Sequence, residues 1–157
     1  MPLINPFSTL AVPKELVVEF LGCFARCEYA MKASTYARDD HGIAAAAWQR
    51  LANDAGAWVQ VQAGTPLDEA IELLTTAPPR LQSFGGGWQA VPLRGGHRLA
   101  QAIDAAVRVR HNLFHGGKHA PEAAPGRDAA LVNAALVLVT AVVDQCPGDL
   151  RDAYNGA

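Results

Sequence analysis

The sequence predicts an all-α fold, a bundle of about five helices. Three observations predict it. Alanine is abundant while Val, Ile and Thr do not dominate, a composition that favours helix over sheet. Apolar residues recur every three or four positions in several segments. A long apolar run, "AALVNAALVLVTAVV" from 129 to 143, suits a helix buried on nearly all sides.

The first helix follows Pro13. Val17, Phe20, Leu21, Phe24 and Met31 form its stripe, which runs to about Ala33. "STYARDDHG" is the connection. A second helix is expected from about 43 to 62, on the line Ala44, Trp48, Leu51, Ala55 and Trp58. The third has the clearest start: Thr65 as cap, Pro66 at the first helical position, Asp68 and Glu69 in the first turn. Pro78 and Pro79 end it. Residues 80–96 carry three consecutive glycines, and they read as a loop with a short hairpin around Trp88. A fourth helix runs from about 97 to 113 and is closed by Gly116 and Gly117. The apolar fifth helix fills 128–145, Pro147 and Gly148 stop it, and a last turn includes Leu150 and Tyr154. With 157 residues and no repeat, the chain reads as a single domain with its core between about 14 and 154.

Fifteen interrupted apolar residues are too few to span a bilayer, so no membrane is expected. The first residues lack a basic stretch followed by an apolar run. Three cysteines without a C-x-x-C argue against a disulfide framework or a structural zinc site. Cys23 and Cys27 read as small core residues. Together these features predict a cytoplasmic setting and no cofactor.

Charge is unevenly placed. The net charge is -2, yet residues 94–118 hold five basic residues against one acid. Four of the five histidines, His97, His111, His115 and His119, lie in or beside that segment. An acidic body with one basic segment points to a localised anion site, though surface scatter gives the same count.

Two charges sit on apolar stripes. On the fourth helix Leu99, Ile103 and Ala106 lead to Arg110 and then Leu113. On the first, Phe24 leads to Glu28 and then Met31. Arg and Glu are seldom buried without a partner, so the two should face one another or a shared polar cavity. An ion pair of purely structural role, or side chains reaching solvent past the helix edge, produces the same pattern. His115, near Arg110, Asn112 and Lys118, adds a group able to move a proton near neutral pH. A guanidinium grips phosphate with two hydrogen bonds. Walker, dinucleotide-binding and H-E-x-x-H motifs are absent, and no His, Cys and carboxylate set has metal-ligand spacing.

"RHNLFHGGK" resembles the signature of HEPN domains: Arg, a polar residue, spacers and His, here Arg110, His111 and onward to His115. "FARCEYAMK" is similar to the family's first-helix segment. The double proline, the Trp-bearing loop, the "FHGGK" ending and the long apolar helix follow in matching order. The resemblance spans about Leu16 to Tyr154. It is nearest to stand-alone prokaryotic members linked to toxin-antitoxin and phage-defence systems.

The resemblance implies a helical bundle, a two-fold homodimer and metal-independent cleavage of RNA. Arg110 and His115 take the catalytic positions, supported by Glu28, His111 and Asn112, with Arg108, Lys118 and His119 as RNA-binding residues. It also implies an antitoxin or nucleotidyltransferase as partner. His111 stands where Asn is common, and Gly117 stands where some family toxins carry a modifiable Tyr. A non-catalytic HEPN module, binding a nucleotide or a partner protein, is the alternative, and a small structural bundle without ligand is a third reading.

Overall fold

The first helix, α1 (Lys14–Lys32), starts directly after Pro13, with Glu15 in its first turn and Lys32 in its last. Those charges complement the helix dipole. The computed structural model describes residues 2, 3, 5, 7–114 and 124–156. Val17, Phe20, Phe24, Cys27, Ala30 and Met31 are the buried face of α1. Cys27 belongs to the core as expected, and desolvation pushes its thiol well above the ordinary range.

The next segment departs from expectation. Residues 43–46 are not helical; β1 (Ala37–Asp40) and β2 (Ile43–Ala46) form an antiparallel hairpin. His41 and Gly42 join them at φ 54° and 84°. Two successive positive φ values are the signature of the tight turn whose twist matches a hairpin. Asp39 Oδ1 accepts the Gly42 amide at 2.6 Å and closes it. Arg50 then donates to the carbonyls of Thr35 and Ala37 at 2.8 and 3.4 Å, tying the hairpin to the following helix. Alanine's helical preference is overridden here by turn chemistry and tertiary contacts. The second helix, α2, is correspondingly short, Trp48–Ala55.

α3 (Pro66–Thr76) begins as its sequence dictates: Thr65 Oγ1 accepts the Asp68 amide at 3.3 Å, and Pro66 opens the first turn. A second hairpin, β3 (Leu81–Gln82) with β4 (Trp88–Gln89), brackets the three glycines. α4 (Arg98–Phe114) is capped by His97, whose Nδ1 accepts the Ala100 amide at 3.2 Å. α5 (Arg127–Gln145) and α6 (Asp149–Asn155) complete the chain. The described residues form six helices and two short hairpins, a mostly helical fold compatible with the expected bundle but not strictly all-α.

α5 lies at the centre, in contact with α1, α3, α4 and α6. One apolar cluster runs through all six helices, with Phe20, Leu51, Leu74, Ile103, Leu138 and Leu150 fully buried. Burying one such side chain contributes about 1.5–3 kcal/mol before entropy is counted. The expectation that α5 is buried on nearly all sides is too strong, since Asn133, Thr140 and Asp144 are exposed. At 19 residues α5 is also long and apolar enough, by length and composition, to cross a membrane. Length therefore does not argue against a span; the packing of α5 against four helices is what accounts for its composition.

Candidate functional site

α4 carries most of the candidate residues. Its buried stripe is Leu99, Ile103, Ala106, Val109 and Leu113. Val109 occupies the place on the stripe that spacing assigns to Arg110. Arg110 stands at the edge, its side chain 32% exposed, and meets Glu28 of α1, 26% exposed.

The two charges do face one another. Arg110 Nη2 donates to Glu28 Oε2 at 3.2 Å. The other carboxylate oxygen, Oε1, accepts the indole N–H of Trp48 at 3.2 Å. The Arg110 guanidinium also lies 4.8 Å from the centre of the Phe114 ring, a cation–π arrangement. Trp48 is held in turn by Phe24, with ring centres 4.9 Å apart. Two contacts thus fix one partly exposed guanidinium, Glu28 of α1 and Phe114 of α4, while α2 braces Glu28 through Trp48.

Neither Trp48 nor Phe114 stands out in the sequence as a site residue. Trp48 sits on an apolar line there, and only its polar edge hints at another partner. Phe114 is i+4 from Arg110, so helical spacing alone makes that contact available.

Arg108 behaves otherwise. Its side chain is 8% exposed, and its two terminal nitrogens each donate at 2.6 Å, to the carbonyls of Val91 and Pro92. Its guanidinium also pairs with Asp104 Oδ2 at 2.8 Å. Asp104 further accepts the Arg94 backbone amide at 3.1 Å and Arg94 Nε at 3.0 Å. The assignment of Arg108 to RNA binding is corrected: it is a buried clamp that holds the 91–94 segment on α4. Asn112 is buried as well, and its Nδ2 donates to the Arg80 carbonyl at 2.8 Å. It anchors a loop and does not line the Arg110 surface.

His111 is exposed on the last turn of α4, next to Arg110 in sequence. His115, Lys118 and His119 lie outside the described residues, as do Gly116 and Gly117. The described part of the site is therefore Glu28, Trp48, Arg110 and Phe114, with His111 beside it. Among the described residues, no group of three His, Cys, Asp or Glu side chains gathers where an ion could be held.

What the arrangement can do follows from its chemistry. A guanidinium held by a carboxylate on one side keeps its remaining N–H donors in a fixed plane. Such a group is suited to an anion with trigonal or tetrahedral oxygens, above all a phosphate. No family model matches the chain, and no curated protein or solved structure matches it either.

Proposed function

We propose that this protein is a metal-independent endoribonuclease of the HEPN type, acting as a toxin or phage-defence effector. One observation carries the reading: Glu28, itself bonded by the Trp48 indole, and Phe114 hold Arg110 at the surface, five residues before His115 in the sequence. A charge kept partly exposed and oriented by two neighbours is prepared for a ligand.

In this reading the ribose 2'-OH attacks the adjacent phosphorus, and the 5'-oxygen leaves. His115 serves as general acid or base for the proton transfers. Arg110 stabilises the negative charge that builds on the non-bridging oxygens. Glu28 keeps the Arg110 plane in position. The products are a 2',3'-cyclic phosphate and a 5'-OH. DNA lacks the nucleophile and should be inert. Lys118 and His119 remain the proposed contacts to flanking phosphates; Arg108 is withdrawn from that role. A homodimer that brings two copies of Arg110 to one cleft, and an antitoxin or nucleotidyltransferase partner, belong to the same proposal.

A second reading, a non-catalytic HEPN module binding a nucleotide or a partner protein, is favoured by one feature. The Arg110 charge is already balanced by Glu28, which stabilises a bound anion less than a bare cation would. Incubation of the purified protein with a structureless RNA in excess chelator, beside a DNA of matching sequence, decides between the two. Cleavage of RNA alone supports the nuclease. Intact RNA under every condition tried supports the module.

A further inference from the structure

A cavity of about 390 Å³ opens between the first hairpin, α2 and α4. That volume falls within the range of small-ligand sites. Three arginines line it: Arg38 from β1, Arg50 from α2, whose Nη1 also donates to the Thr35 and Ala37 carbonyls, and Arg94 from the segment before α4. Among the described lining residues the one carboxylate is Asp104, which the buried Arg108 and the side chain of Arg94 already bind. Arg38 meets Asp40 at 3.6 Å with both side chains about half exposed, a pair that solvent screens strongly. The cavity is therefore electropositive in a chain whose net charge is -2.

Its apolar side is as distinctive. Trp48 and Val107 are part of the wall, and Phe24 packs against Trp48 with the two rings tilted by 34°, which holds the indole in place. An aromatic ring held in place beside cations matches a ligand with a flat π-face and a phosphate. The cavity also adjoins the Arg110 surface. Trp48 lines it and donates to Glu28, and Val107 lies three residues before Arg110 on α4.

The geometry points to this cavity as a binding site for a phosphorylated nucleoside, its phosphate on Arg38, Arg50 and Arg94 and its base against Trp48. Two sources carry that chemistry, a free mononucleotide and the nucleotide flanking the cut in a bound RNA strand. The second source rests on the ribonuclease reading; the binding itself does not.

The test measures affinity without cleavage. Wild-type protein is titrated at low salt with a 5'-mononucleotide, with inorganic phosphate, and with a 2'-O-methyl RNA pentamer that cannot be cut, using calorimetry and tryptophan fluorescence. Saturable mononucleotide binding is expected, with quenching that Trp48→Phe removes. Arg38→Gln, on the exposed hairpin, should weaken it, and Arg38→Gln with Arg94→Gln should weaken it by about tenfold or more. Arg98→Gln, outside the cavity, should leave affinity unchanged. A pentamer tighter than the mononucleotide identifies an RNA strand as the source; equal or weaker binding identifies the free nucleotide. No saturable nucleotide binding, phosphate binding as tight as nucleotide, or affinity unchanged in both arginine variants overturns the assignment. A protein that binds here but cuts no RNA contradicts only the nuclease reading.

Discussion

Arg110 and Glu28 are 82 positions apart in sequence and meet at 3.2 Å, joining α4 to α1. Both side chains keep roughly a quarter to a third of their surface in water, so the pair belongs between the exposed and the buried extremes. Glu28→Ala should lower stability by about 1 kcal/mol, and Glu28→Gln by less, since the amide oxygen can still accept the Trp48 indole. Thermal melts of the two variants check this. A loss of several kcal/mol for Glu28→Ala would mean that Arg110 is far more buried than the structure has it.

Arg108 should matter more to stability than Arg110. Its removal leaves two carbonyls without their donor and takes one cation from the buried Asp104 carboxylate. Arg108→Ala should cost about 3 kcal/mol, the order measured when one member of a buried pair is deleted. Arg98, half exposed in its pairs with Asp68 and Glu72, is the comparison, and its loss should change stability by less than about 0.5 kcal/mol. Chemical denaturation of both variants is the measurement. Equal effects would contradict the clamp.

Alkaline stability should depend on two tyrosines. Desolvation pushes the phenols of Tyr36 and Tyr154 up to about 12. In the unfolded chain each ionises near its ordinary value of 10.0. Above that pH the unfolded state binds fewer protons than the folded state, so stability falls as pH rises. The contribution is complete below about pH 10 and is lost as pH climbs through about 12. Melting temperatures across this window should drop steeply for wild type and less steeply for Tyr36→Phe. Identical slopes would show that Tyr36 ionises in the folded protein as it does in the unfolded one.

The sequence made some of these features legible and hid others, for physical reasons. Thr65 and Pro66 announced the start of α3 because capping chemistry is local and belongs to the residues themselves. The meeting of Glu28 and Arg110 could be inferred because both charges lie at the margin of an apolar stripe, where a charge gains from a partner, although Val109 and Cys27 fill the stripe itself. The hairpin at 37–46 is hidden because β2 is rich in alanine, which favours a helix from 43 onward, and β1 lies in a segment that reads as a connection. The signal lay in the His41-Gly42 turn and the Asp39 side chain beside it. The RNA-binding role of Arg108 came from the resemblance, which does not show that α4 is enclosed by α2, α3, α5 and the 91–94 segment, so that Arg108 is buried. Trp48 was read as apolar because its sequence position says nothing of where an indole N–H points.

In the proposed reaction Arg110 and His115 act together on RNA. Its most direct test is the cleavage rate of wild type, Arg110→Ala and His115→Ala on one structureless RNA in excess chelator, with the product ends identified. Wild type should cleave to 2',3'-cyclic phosphate ends. Each substitution should lower the rate by about 10²-fold or more, the scale of a lost catalytic acid, base or charge-stabilising group. Cleavage that vanishes on chelation, or variants that cut as fast as wild type, would contradict it.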